Sequence, residues 1–130
     1  MTSLHVGLSG EKQIEVTLAV SATHMGSGSM GVFATPAMVG LIERTAMDLV
    51  QPMLAEGETT VGAEVHVRHL AATPLGMHVR ARVVLEAIDG RFLTFSAEVY
   101  DDKEKVGEGT HKRAIIRSDR FMARVQEKSA

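Results

Sequence analysis

The chain has 130 residues, 45% hydrophobic and 23% charged, with a formal net charge of −2, values that fit a single soluble globular domain over residues 1–130. They supply no global attraction to nucleic acid or to an anionic membrane, and with 4% aromatics and no tryptophan the chain lacks the stacking platforms of a single-strand binder. Cysteine is absent, which removes a disulfide framework, a thiolate nucleophile and cysteine-ligated zinc; with no apolar run near the ~18 residues of a membrane span and no signal-peptide pattern, a cytoplasmic protein is expected.

In chain order, Ile14, Val16, Leu18 and Val20 alternate within residues 13–20 and predict a half-buried strand. Residues 21–31, SATHMGSGSMG, predict a flexible loop, either a plain connector or a lid over a pocket. Thr35-Pro36 reads as a helix start, with threonine as N-cap and proline at the first helical position. That helix should run to Val50 or Gln51, because Pro52 disfavours helical geometry before it. Arg44, Asp48 and Gln51 give it a wet edge, while most of the remaining circumference is apolar and should be buried.

Period two then returns. Within residues 61–71, Val65, Val67, His69 and Ala71 share one face, with Glu64, His66 and Arg68 opposite. Thr73-Pro74-Leu75-Gly76 is a turn. Met77, Val79, Ala81, Val83 and Leu85 point inward from the next strand, and His78, Arg80 and Arg82 outward. Asp89-Gly90 signals a hairpin. Leu93, Phe95, Ala97 and Val99 line one side of the strand after it, and residues 101–104 turn the chain. Residues 105–117 predict a last strand whose glycines mark a bulge or a close approach by a ligand. A short helix capped by Ser118 or Asp119 should end the chain.

Strand, long helix and a four-strand meander leave the helix as the only large apolar partner for the sheet. An antiparallel sheet with one apolar face must cover that face. The expected fold is therefore α+β, an antiparallel sheet wrapped around one long central helix, which is the hotdog architecture. A dimer would offset the limited burial available to a domain of this size.

Three polar residues stand in unusual places. Glu43 falls on the helix face of Val39, Gly40, Met47 and Val50. A carboxylate there must be paired, hydrogen-bonded or protonated, or the helix turns it to the surface. His69 faces inward between Val67 and Ala71, as a satisfied core histidine or as a general acid or base. Thr35 is explained by capping alone, although a hydroxyl at a helix N-terminus can also serve a developing oxyanion. Arg113 alternates onto the side of His111 and Ile115. It could pair with Glu43, bind a phosphate or stay solvated. Thr35 and Glu43 are eight residues apart on one helix, roughly 12 Å along its axis, so they act at opposite ends of one pocket or in a site shared by two chains. The histidines lack metal-ligand spacing. No P-loop, dinucleotide fingerprint or nucleophile elbow is present, so neither metal nor cofactor is expected.

The stretches VFATPAMVGLIE (32–43), VHVRHLAATPLG (65–76), GRFLTFSAEVYDD (90–102) and VGEGTHKRAII (106–116) resemble the fluoroacetyl-CoA thioesterase family. The resemblance runs from about Val6 to Lys128. It implies a hotdog homodimer, or a tetramer, that hydrolyses a short-chain acyl-CoA. It also implies catalytic roles for Thr35, Glu43 and His69, with Gly62 and Arg113 lining the substrate site. One stretch departs from the family: MGSGSMG (25–31) stands where the fluoroacetyl-specific enzyme carries the bulky aromatics of a lid, so another short acyl group or a broader range is expected. The alternative is a non-catalytic module that binds acyl-CoA or another small ligand.

Overall fold

Residues 3–129 are described by a computed structural model. Strand β1 is Ser9–Glu15, followed by a short helix α1 at Ala22–Met25 and a long helix α2 at Thr35–Val50. Strands β2 (Glu58–His69), β3 (His78–Asp89), β4 (Phe92–Asp101) and β5 (Lys105–Arg117) come next, and α3 (Ser118–Glu127) closes the chain. The strands form one antiparallel sheet in the order β1-β3-β4-β5-β2. β3, β4 and β5 are sequential neighbours, whereas β2 pairs with the far side of β5 and becomes a sheet edge.

Helix α2 packs Met38, Leu41, Ile42, Ala46 and Val50 against the sheet. Val79, Ala81, Val83 and Leu85 of β3 meet them, with Leu93, Phe95, Ala97 and Val99 of β4, and all are buried. Strict alternation on these two central strands therefore produces one dry face. Thr45 is the polar member of the buried helix stripe; its hydroxyl donates to the Leu41 carbonyl at 2.6 Å, so burial leaves no unpaired group. A sheet wrapped on one buried helix is the hotdog arrangement expected from the element order.

Several local expectations need correction. The first strand is not 13–20 but Ser9–Glu15; residues Leu18–Val20 form a 3-10 turn and Leu18 is 62% exposed. β1 pairs with β3, which begins at His78 opposite Glu15; Val16 still exchanges backbone bonds with Met77 and Gly76, and the chain then leaves the sheet at the Leu18–Val20 turn. In the β3–β4 hairpin the two loop residues are Gly90 and Arg91, with Gly90 at φ 60° in the first loop position. Of the two readings of the β5 glycines the bulge holds at Gly107, where Val99 pairs with Gly107 but Tyr100 with Lys105, and both Gly107 and Gly109 lie in close contact with protein groups. A Cβ on Gly107 would run into the Met38 sulfur, and one on Gly109 into the His66 carbonyl. Helix α3 begins at Ser118, but its N-cap is Arg117 without a side-chain cap, so neither Ser118 nor Asp119 caps it. Asp119 instead sits in the first turn, where the helix dipole favours an acid. Among the described residues no helix is long and apolar enough to cross a membrane.

The Gly109 contact is with backbone, which cannot swing aside. Gly109→Ala should lower unfolding free energy by about 1–3 kcal/mol, measured by urea denaturation; an unchanged midpoint would contradict the contact.

Candidate active site

Thr35 is the first residue of α2 and Ala34 is the N-cap, with no side-chain cap present. The threonine hydroxyl is therefore free of the local role its sequence position suggests. It lies 2.7 Å from Nδ1 of His69, at the end of β2. Phe33, buried just before the helix, sets its ring edge-on to the imidazole at 6.3 Å. The other ring nitrogen, Nε2, is buried and has no hydrogen-bond partner. Buried polar atoms are normally paired, so Nε2 is poised for a group that binds there. Burial pushes the His69 imidazole below its ordinary value, with the Ala71 backbone pulling weakly the other way. The ring is thus neutral near pH 7 and able to accept a proton. A hollow of about 390 Å³ opens beside the pair, lined by Ala22, Val32, Leu70, Ala71 and Ala72 as well as Ser27 of the glycine-serine segment.

Glu43 lies elsewhere. Its stripe is buried only at Val50: Val39 and Met47 are half-buried and Gly40 is exposed. The reason is topological, since this helix face overhangs β2, and no further strand lies beyond that edge. Glu43 itself is half-buried and packs over Gly62; a Cβ on Gly62 would lie 2.7 Å from its Oε2. Simple alternation would turn Gly62 away from the helix. A bulge between Gly62 and Glu64 resets the phase, so that Gly62, Val65, Val67 and His69 share the helix side.

Arg113 is 5% exposed and is no solvated strand charge. Its Nε donates to Thr60 Oγ1 at 2.8 Å, one terminal nitrogen to the Thr60 carbonyl at 3.0 Å, and the other to Nε2 of His111 at 3.1 Å. It makes no ion pair with Glu43 among the described residues, nor does it reach out as a phosphate fork. The two are still near enough to share a small hollow of about 240 Å³. Burial draws the Arg113 guanidinium below its ordinary value, and the Glu43 charge partly restores it.

His111 is a buried partner in this network that the lack of metal-ligand spacing among the histidines does not foreshadow. It is 1% exposed, and its Nδ1 donates to the Glu64 carbonyl at 2.8 Å. A carbonyl only accepts and a guanidinium only donates, so His111 is neutral with its proton on Nδ1. Burial is the main cause that lowers its pKa; the Glu64 carbonyl opposes this and Arg113 adds to it. Its inward register beside Arg113 was the available signal.

The five residues thus fall into two groups. Thr35 touches His69, and Glu43 sits with Gly62 and Arg113; among the described residues the hollow beside Thr35 and His69 does not include Glu43 or Arg113. The sequence profile described as fluoroacetyl-CoA-specific thioesterase matches residues 16–119. The chain belongs to this family. It is 39% identical over 98 residues to fluoroacetyl-CoA thioesterase of Streptantibioticus cattleyicolor, covering 75% of this chain and 70% of that one. A solved threonine-to-serine variant of a fluoroacetyl-CoA thioesterase, in complex with acetyl-CoA, superimposes with TM-score 0.92 at 32% identity, over 98% of this chain and 100% of that one. A Thermus thermophilus hypothetical protein described as a thioesterase superfamily member gives TM-score 0.91 at 25% identity, over 99% and 96% of the two chains. Family membership makes the protein a thioester hydrolase that acts on acyl-CoA.

The buried histidines also set an acid limit on stability. The folded pKa of His111 lies below its unfolded value near 6.5, and that of His69 is shifted the same way. The unfolded chain therefore binds more protons as pH falls through that value. Their contribution is fully present above about pH 6.5 and is lost below it. Urea midpoints should stay level from about pH 8 to 7 and fall toward pH 5. His111→Gln should make that fall shallower; an identical fall would exclude His111 as a source.

Proposed function

We propose that the protein is a homodimer that hydrolyses short-chain acyl-CoA thioesters at two composite sites. Each site joins Thr35 and His69 of one protomer to Glu43, Gly62 and Arg113 of the other. The Thr35–His69 hydrogen bond, with Nε2 of the same ring buried and unpartnered, is the observation that carries the chemistry. Neutral His69 accepts a proton from the Thr35 hydroxyl, or from a water held by it, as the oxygen adds to the thioester carbonyl. The intermediate then collapses, the CoA sulfur leaves, and the imidazolium returns the proton to it; where Thr35 is the nucleophile, a water deprotonated by the same imidazole then cleaves the acyl-Thr35 ester, and the proton goes back to the Thr35 oxygen as the free acid departs. Gly62 lets the Glu43 carboxylate close against β2, and the carboxylate shares its hollow with Arg113.

The dimer reading is supported by the β2 edge. Its twelve residues have an unpaired side, and Val65 and Leu70 are 40% and 43% exposed. Such an edge is a template for a second strand. Antiparallel pairing of two copies of β2, centred near Val65 and His66, sets Gly62 of one chain opposite His69 of the other. The bulge puts both residues on the helix side, so the two half-sites face each other.

The lining beside Thr35 and His69 is small and apolar, which suits a short acyl chain. The adjoining segment has glycine and serine where a lid would need bulky aromatics, so selectivity for a fluorinated acyl group is not expected.

Thiol release from an acetyl-, propionyl-, butyryl- and fluoroacetyl-CoA panel tests this reading. Turnover of the unfluorinated substrates is expected, and His69→Ala should lower kcat by about 10²-fold or more while the dimer persists. Binding without thiol release would make the protein a ligand-binding module instead, and near-normal turnover by folded His69→Ala would remove that residue from the mechanism.

A further inference from the structure

The loop after His69 carries a polar contact that the proposed reaction does not use. Thr73, in this loop between β2 and β3, is fully buried, and its hydroxyl donates to Asp101 Oδ2, at the end of β4, at 2.9 Å. A threonine beside a turn commonly bonds backbone two residues on; this one reaches 28 residues along the chain. Asp101 Oδ1 takes the amides of Lys103 and Glu104 at 2.8 and 2.9 Å, which is all that the β4–β5 turn requires of the side chain. Burial opposes the Asp101 charge, but the two amides, the Thr73 hydroxyl and the nearby Lys103 charge outweigh it. The carboxylate therefore stays ionised near pH 7 and acts purely as an acceptor. Thr73 in turn has no other side-chain partner, so losing Asp101 would strand a buried hydroxyl.

Both halves of the Thr35–His69 contact are tied to this loop. On the helix side, the Phe33 amide donates to the Thr73 carbonyl at 2.9 Å, and Val32 bridges to Pro74. Phe33 stands just before Thr35 and sets its ring edge-on to His69. On the strand side, the Leu70 and Ala71 amides, directly after His69, both donate to the Val106 carbonyl, at 2.7 and 3.4 Å. Asp101 and Val106 flank the same β4–β5 turn, so one turn holds the loop at both ends. Neither Thr73 nor Asp101 lines the hollow beside His69; each acts through the residues it holds. We infer that the Thr73–Asp101 hydrogen bond is a strut that keeps the entry of α2 and the end of β2 in register, and with them the Thr35–His69 pair. Thr73 and Asp101 are then positioning residues for thioester hydrolysis, which rests on the roles proposed above for Thr35 and His69. Without the strut the loop loses its buried tie to β4, and an error of ~1 Å in the placement of reacting groups costs about 10²-fold in rate.

Thr73→Val keeps the side-chain shape but removes the hydroxyl, and Asp101→Ser leaves an oxygen for the turn amides that is too short to reach Thr73. Each folded variant should lower kcat for acetyl-CoA by about tenfold or more, with KM unchanged because neither residue lines the hollow. Thr73→Ser, which retains the hydroxyl, should keep wild-type turnover. Added to His69→Ala, Thr73→Val should cost nothing further, since the pair it positions is already gone. The ring-nitrogen NMR resonances of His69, which report its tautomer and its bond to Thr35, should shift in Thr73→Val and match wild type in Thr73→Ser. Unchanged kcat in both disrupting variants, no rescue by serine, or the same fractional loss on top of His69→Ala would overturn the strut. If His69→Ala itself turns over normally, the proposed mechanism fails; the ring resonances still decide the strut, and unmoved resonances in Thr73→Val would refute it.

Discussion

Helix α2 is a ruler. Thr35 stands at its first residue and Glu43 eight residues on, roughly 12 Å along the axis. The helix is packed on the sheet through Met38, Leu41, Ile42, Ala46 and Val50, so it cannot bend to bring the two together. Each polar group instead meets what the edge strand offers beside it, His69 at one end and Gly62 near the other. That spacing, and the unpaired edge on which both contacts sit, govern the rest of the molecule. One chain holds the two groups apart, and in the dimer we propose a second copy brings them together.

The polar groups around Glu43 are costly to bury and are correspondingly well satisfied. Arg113 gives three hydrogen bonds, two to Thr60 and one to His111, whose remaining ring proton is taken by the Glu64 carbonyl. Removing one partner from such a network strands the others. The same network fixes the floor under Glu43 and anchors β5 to β2, the strand that carries both half-sites. The other half is deliberately less complete: Nε2 of His69 is left without a partner. One half is fully bonded, and the other keeps an unpartnered nitrogen that in the proposed reaction faces the substrate.

Much of this was legible in the sequence, for reasons that differ by element. β3 and β4 alternate with one buried face, and period two reads directly as strands with Val79 to Leu85 and Leu93 to Val99 inward. At β1 the alternation of side chains runs on through Leu18 and Val20 while the backbone, after Val16, leaves the sheet in a 3-10 turn, a fact of pairing and not of local pattern. Glu43 and His69 were visible as polar groups on apolar faces, although Glu43 proved half-buried because its helix face overhangs the sheet edge. Thr35 looked complete as an N-cap, a local role; its real partner is 34 residues away. Gly62 was hidden by the bulge that shifts its side, and the His111–Arg113 pair by the fact that register shows a direction but not a partner.

Subunit complementation tests the composite site most directly. His69→Ala and Glu43→Ala protomers carrying different affinity tags are co-expressed, and the mixed dimer is isolated and assayed for thiol release from acetyl-CoA. If each site draws Thr35 and His69 from one chain and Glu43 from the other, the mixed dimer contains one complete site and one doubly defective site. It should then recover activity that both parent homodimers lack. A mixed dimer as inactive as its parents would contradict the composite site and return all three residues to a single chain.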